Sequence, residues 1–243
     1  MSISNLFELL KKNIICSAVI VAAGSSSRFG SDKLFAPLSG IPVLAYSLTT
    51  FEGCKYISEI IVVTESEKIS EIAQLCERCN ISKATKIVCG GATRLESALS
   101  GVSETDKHCD LIAIHDGARP LVTAKIIEDT IECAFKYKAA VPVVPSKDTI
   151  KIVANSFVTE TPDRSSSFGA QTPQVFVPEL IKGALTNALQ NDIAVFDDAT
   201  AVENLGFSVC VTQGSEENIK ITTPLDLKFA ECILNSRRES AAL

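Results

Sequence analysis

An α/β fold, doubly wound around a mostly parallel sheet, is what this sequence predicts, and three observations predict it. Strand-like apolar runs alternate with helix-like segments from residue 15 to residue 144. Such βαβα order implies parallel strands joined by right-handed crossovers. The chain is 46% hydrophobic with no tryptophan, and its apolar runs are rich in Ile, Val and Ala, as strands covered on both faces are. Finally, loops of small and charged residues follow the strands at 24–33, 90–94 and 116–119. Ligands in doubly wound sheets bind beyond the carboxyl ends of the strands, so these loops should gather on one edge.

The elements follow in order. Residues 15–22 form the first strand, and 42–51 a helix opened by Pro42. Residues 59–63 are a strand and 68–79 a helix, with Ile69, Ile72, Ala73 and Cys76 on one face. A short strand at 86–89 leads through Gly90-Gly91 to a helix at 94–102. The strand at 111–114 ends in His115-Asp116-Gly117-Ala118-Arg119-Pro120, and Thr123 caps a helix running to Tyr137. Residues 140–144 are a further strand. Beyond Pro145 the period changes: 149–153 and 157–160 alternate with period two around Ala154-Asn155-Ser156, the pattern of a β-hairpin. A two-stranded ribbon needs something to pack on, either a neighbouring subunit or its own domain. A strand at 173–177, a helix from Pro178, a helix at 197–205, a strand at 208–212 and a closing helix at 224–237 complete the chain. With 243 residues and no linker or repeat, 1–243 reads as one domain bearing a β-arm at about 147–165.

Composition narrows the function. A net charge of −6 argues against a nucleic-acid surface. Anionic ligands must then be met by a few local cations. Nine cysteines without framework spacing, and no secretory signal, point to a reducing cytoplasm. Cys76-Glu77-Arg78-Cys79 is a lone pair inside a helical pattern and reads as core rather than metal site, since zinc needs four ligands. Residues 6–12 are a short amphipathic stretch, and the apolar run at 14–23 is too short to span a bilayer; no membrane association is expected.

The candidate chemistry is that of cations and backbone amides. In Ala22-Ala23-Gly24-Ser25-Ser26-Ser27-Arg28-Phe29-Gly30-Ser31-Asp32-Lys33 a buried strand enters a small-residue loop, where N–H groups can approach an anion and Arg28 and Lys33 can neutralise it. The alternative is an ordinary loop with solvated charges. It is neither a P-loop, which needs Lys-Ser/Thr after its last glycine, nor a dinucleotide fingerprint, because Ser26 stands at the second glycine. Gly90-Gly91, Arg94 and Ser97 could meet a base or simply open a helix. Asp116 could hold Mg²⁺ or a ribose hydroxyl, or pair with Arg119. His115 reads as a structural hydrogen-bonder, since no oriented partner for a base is evident. With Arg164 and Lys220, the set fits phosphoryl or nucleotidyl transfer, where the protein positions groups and stabilises charge.

Seven segments stand in order: Ala22-Ala23-Gly24 with Arg28 and Lys33; Gly90-Gly91 with Arg94 and Ser97; His115-Asp116-Gly117-Ala118-Arg119-Pro120; Lys147-Asp148-Thr149-Ile150-Lys151; Asp163-Arg164; Gln171-Thr172-Pro173-Gln174; and Asn218-Ile219-Lys220-Ile221-Thr222. Together they resemble the 2-C-methyl-D-erythritol 4-phosphate cytidylyltransferases of the non-mevalonate isoprenoid pathway, over about residues 17–234. The resemblance implies a Rossmann-like nucleotide-diphospho-sugar transferase fold. It implies condensation of CTP with methylerythritol phosphate to 4-CDP-2-C-methyl-D-erythritol and pyrophosphate. Mg²⁺ would be held mainly through the CTP phosphates. By carry-over, Arg28, Lys33, Arg164 and Lys220 are catalytic, the first two stabilising the transition state and the others positioning the acceptor phosphate. Ala22, Ala23, Gly24, Gly91, Arg94 and Ser97 surround the nucleotide. Asp116, Arg119, Thr149 and Thr172 line the acceptor side, with Asp116 also expected at the metal. The resemblance further implies a homodimer whose β-arm carries Thr149 and Arg164 into the partner's site.

Three positions depart from the family's usual pattern. Asp32-Lys33-Leu34 replaces a frequent Pro-Lys-Gln, Ala92 replaces an acidic residue, and Phe196 stands where Thr is frequent. The rival readings are a ribitol 5-phosphate cytidylyltransferase, a sugar-phosphate nucleotidyltransferase using UTP or GTP, and a non-catalytic nucleotide-binding module. Asp163-Arg164-Ser165 shortly before Gln171-Thr172-Pro173-Gln174 favours the methylerythritol enzyme over the ribitol one.

Overall fold

The computed structural model describes residues 13–24, 29–30 and 32–241. The amphipathic stretch at 6–12 and Arg28 lie outside the described residues. An eight-stranded sheet runs in the order Phe168–Ala170 (β10), Ala139–Pro145 (β7), Gln174–Phe176 (β11), Leu111–Asp116 (β6), Cys16–Val21 (β1), Ile57–Thr64 (β4) and Ala84–Cys89 (β5), with Cys210–Gln213 (β12) also paired to β7. Its centre is β1 (Cys16–Val21), fully buried and parallel to both β4 (Ile57–Thr64) and β6 (Leu111–Asp116). β5 (Ala84–Cys89) extends the parallel set beyond β4. On the other side β11 (Gln174–Phe176) enters antiparallel between β6 and β7 (Ala139–Pro145), and β12 (Cys210–Gln213) lies parallel to β7.

Both faces are covered, for a reason visible in β1. Cys16, Ala18 and Ile20 point to one core and Val19 and Val21 to the other, as the period of two requires. On the first face pack α1 (Val43–Gly53), α2 (Ile69–Arg78) and α4 (Ala124–Tyr137), through Leu44, Leu48, Phe51, Ile72, Leu75, Ile127 and Ile131. On the second pack α3 (Arg94–Ser103), α5 (Pro178–Gln190) and α6 (Asp198–Glu203), through Ala98, Val102, Ile181, Leu185 and Val202. The closing helix α7 (Pro224–Ala241) joins a smaller cluster with Leu38, Leu121 and Ile221. Thr123 caps α4 by accepting the Ile126 N–H, and Pro178 opens α5. No helix of the described residues is long and apolar enough to cross a membrane.

Some elements differ from expectation. His115 and Asp116 belong to β6 rather than to the loop after it, because the ladder with β1 continues to Val21↔Asp116. The arm is β8 (Ile152–Ala154) against β9 (Phe157–Glu160), shorter than the alternation suggests. Asn155 (φ 50°) and Ser156 (φ 68°) make its tight turn. Three strands, in two places, escape the sequence pattern. The miniature hairpin β2 (Pro37–Leu38) and β3 (Ile41–Pro42) turns at Ser39 and Gly40, both with positive φ. The strand β10 (Phe168–Ala170) borrows its pairing from β7. Neither is long enough to establish an alternation of its own.

Candidate active site

The parallel strands β1, β5 and β6 end on one edge, delivering Ala22–Gly24, Gly90-Gly91 and Asp116 there. β11 runs the other way, so its start, with Gln171 and Thr172, lies on the same edge. Two adjoining clefts open there. The first, of about 160 Å³, is lined by Ala22, Ala23, Gly24 and Lys33 and shares Arg94, Asp116 and Lys220 with the second. The second, of about 270 Å³, adds Arg119, Thr172, Gln171 and Phe196.

Asp116 is the hub. Its side chain is 11% exposed; Lys220 Nζ lies 2.7 Å from Oδ2, Arg119 Nε 3.8 Å from Oδ2, and Arg94 Nη2 3.4 Å from Oδ1. Burial alone would raise its pKa, but Arg94, Lys220 and Arg119 together hold the carboxyl well below the usual carboxylate range. Asp116 was also expected at the metal. Both of its oxygens already face cations, and no group of three His, Cys, Asp or Glu among the described residues could hold a metal ion. The residues present do not fit a resident Mg²⁺ site, which calls for carboxylates open to the ion.

Arg94, expected against the nucleotide, spends its guanidinium on carboxylates. It makes a two-pronged pair with Asp198, at 2.9 and 2.8 Å, besides its contact with Asp116. Burial opposes its charge, yet Asp198 and then Asp116 raise its pKa above the ordinary value. The reason is Asp198, whose side chain is 1% exposed and demands a counter-charge. Asp198 was not among the expected site residues. Its signal is the doubled acid at the start of α6: Asp197 caps the helix by accepting the Thr200 N–H at 2.8 Å, leaving Asp198 without a capping role.

Two further side chains build the site from behind. His115 is fully buried, with Nδ1 2.9 Å from Thr172 Oγ1 and its ring against Phe51 at 4.9 Å. Thr172 Oγ1 accepts the Asp116 N–H. Burial, with Arg119 nearby, outweighs Asp116 and lowers the histidine pKa to about 3, so it stands neutral and structural. Lys220 reaches Asp116 because its segment is fastened down. Gln171 bridges Ser215 and Asn218, Arg119 Nη1 donates to the Asn218 carbonyl at 2.7 Å, and the Ile221 N–H donates to the Ala118 carbonyl.

The turn at Gly90-Gly91 adjoins the first cleft. A Cβ on Gly90 would stand 2.7 Å from the Ala23 Cβ and 2.7 Å from Ser97 Oγ, so only glycine fits. Ser97 shapes this turn rather than presenting an open hydroxyl: its Oγ accepts from Gly91 N–H and donates to the Thr93 carbonyl. Thr93 and Glu96 close a capping box beneath it. Thr149 and Arg164 line neither cleft of their own chain and lie exposed at the two ends of the arm. Phe196, 90% exposed, presents a ring to the second cleft.

Known proteins share this architecture. The family model described as 2-C-methyl-D-erythritol 4-phosphate cytidylyltransferase matches residues 16–236. A relative of that name from Caldanaerobacter subterraneus is 46% identical over 222 residues, 90% of this chain and 98% of its own. Another, from Halalkalibacterium halodurans, is 46% identical over 90% of this chain and 96% of its own. Among solved structures, the 4-diphosphocytidyl-2C-methyl-D-erythritol synthase of Anaerococcus prevotii is similar with a TM-score of 0.83 and 31% identity, covering 93% of this chain and 99% of that one. With a cation-lined double cleft at the sheet edge and matches spanning nine-tenths of its length, the chain belongs to the 2-C-methyl-D-erythritol 4-phosphate cytidylyltransferase family.

Proposed function

We propose that this protein condenses CTP with 2-C-methyl-D-erythritol 4-phosphate, giving 4-CDP-2-C-methyl-D-erythritol and pyrophosphate. The observation that carries the reading is electrostatic. Lys33, Arg94, Arg119 and Lys220 line the two clefts against three carboxylates, Asp116 and Asp197 in the lining and Asp198 buried behind Arg94. In a chain of net charge −6, that local surplus of positive charge suits two phosphate-bearing ligands side by side.

The acceptor phosphate oxygen attacks the α-phosphorus of CTP in line. A new P–O bond forms, the bond to the β-phosphate oxygen breaks, and its electron pair leaves with pyrophosphate. A phosphate monoester is already anionic at neutral pH, so no general base is needed, in keeping with a neutral, buried His115. Lys33, with Arg28, neutralises charge spreading over the triphosphate. Lys220 and Arg119, prepositioned by Asp116, receive the acceptor phosphate. Mg²⁺ enters on the CTP phosphates as part of the substrate. The ribose and base lie against Ala22–Gly24 and the Gly91 turn.

The enzyme acts as a homodimer through the β-arm. Ile152, Val153, Phe157 and Val158 are exposed there, Phe157 by 76%, and an isolated two-stranded ribbon is marginal in water. Thr149 and Arg164 then complete the acceptor side of the partner's cleft. The free thiols fit work in the reducing cytoplasm.

The test is turnover. Purified protein, CTP, Mg²⁺ and methylerythritol phosphate are expected to release pyrophosphate, and Lys33→Ala should lower kcat by about 10²–10³-fold, the scale of losing one preorganised charge contact. Turnover of ribitol 5-phosphate alone, or CTP binding without pyrophosphate release, would overturn the assignment.

A further inference from the structure

One ion pair outside both clefts bears on the residue that lines the first. Asp32, immediately before Lys33, is held twice. Its Oδ1 accepts the Leu34 N–H at 3.0 Å, and its Oδ2 lies 2.8 Å from Lys68 Nζ. Lys68 ends the 3₁₀ turn Ser66–Lys68 that follows β4, and it also meets Glu65 at 2.8 Å. The pair is only partly solvated, at 22% and 27% side-chain exposure. On the other side of Lys33, Leu34 is buried and its carbonyl accepts the Leu44 N–H at 3.0 Å. Lys33 therefore sits between a core anchor and an ionic one.

The charges make the arrangement more than a tether. A carboxylate one residue from Lys33, at the rim of a cleft for polyphosphate, would repel the ligand and compete for the lysine. Lys68 removes both problems at once. We infer that Lys68 is a positioning residue for nucleotide binding: it neutralises Asp32 and so keeps that carboxylate from repelling the ligand and from drawing Lys33 away. The inference rests on the reading of the first cleft as the CTP phosphate site.

The experiment compares Lys68→Met, Asp32→Asn and the double variant with wild type. It measures Mg²⁺-CTP affinity by titration calorimetry and the KM of each substrate by pyrophosphate release. Lys68→Met is expected to weaken CTP binding and raise its KM about fivefold, the upper end for one partly solvated charge pair, while the KM for the acceptor stays within twofold. Asp32→Asn keeps an oxygen for the Leu34 N–H and no longer needs a counter-charge. Combining it with Lys68→Met should therefore recover CTP affinity to within about twofold of wild type, and Lys68→Arg should do the same with the acid retained. A merely structural role would lower the unfolding temperature of Lys68→Met without rescue by Asp32→Asn. That result, or unchanged CTP affinity in Lys68→Met, would overturn the inference. If Lys68→Met does not fold, Lys68→Gln and the double variant carry the same comparison. Failure of the catalytic reading is separable, because wild type would then release no pyrophosphate while calorimetry still reports on Lys68.

Discussion

At the residue scale, His115 shows how a titratable group can serve by staying neutral. Its folded pKa is lowered to about 3, against about 6.5 in an unfolded chain. Between those values the unfolded state binds a proton that the native state refuses, so stability falls as pH drops through that window. From pH 7 to pH 5 this residue alone should remove about 2 kcal/mol. Chemical denaturation at the two pH values checks it. His115→Gln should lose that part of the pH slope, whatever its absolute stability. Asp116 acts in the same sense but in a lower window: its lowered pKa gives stability that is present above about pH 4 and lost only as pH falls below it. It contributes nothing to the slope between pH 5 and 7.

At the element scale, α3 matters most, because it carries Arg94 and Ser97 and packs directly on β1 and β4. Gly101 permits that approach. A Cβ there would run into the side chains of Val19 and Val63, the latter at 2.5 Å. Gly101→Ala improves helix propensity by up to about 1 kcal/mol, but overpacking costs typically about 1–3 kcal/mol. The expected outcome is net destabilisation, read as a lower midpoint in urea. If the helix tilts to relieve the clash, Arg94 is drawn from Asp198 and CTP turnover falls as well. The hairpin arm is the contrasting element. Its strands carry exposed apolar residues and gain nothing from the core.

At the scale of the whole molecule, the decisive question is where one active site ends and the next begins. With Thr149 and Arg164 acting across a dimer, Lys33→Ala and Arg164→Ala should each be nearly inactive. After unfolding and refolding together they should regain about a quarter of wild-type activity, since half of the dimers are mixed and each mixed dimer holds one intact site. No recovery on mixing, with dimers confirmed by light scattering, would place Arg164 in its own chain's site.

Local pattern made much of this legible. The apolar runs of β1, β4 and β6, the Thr123 cap and the proline start of α5 depend on near neighbours and were read to within about two residues. The positions of Lys33, Asp116 and Arg119 at one edge followed from strand direction, whereas Thr172 reaches it because β11 runs antiparallel. What escaped is non-local. β2, β3 and β10 are two or three residues long and are strands only because something pairs with them. The pairing of Arg94 with Asp198 joins residues 104 apart, and that of Asp32 with Lys68 joins two crossover loops.

By itself, then, the sequence determined the parallel α/β sheet, the edge where chemistry gathers and the cationic character of that edge, because periodicity and residue type act locally. Only the tertiary structure decided what each charge does. Asp116 became a counter-ion to three cations, and Arg94 a clamp on a buried acid. Electrostatic roles are set by distance and burial, and those exist only once the chain has folded.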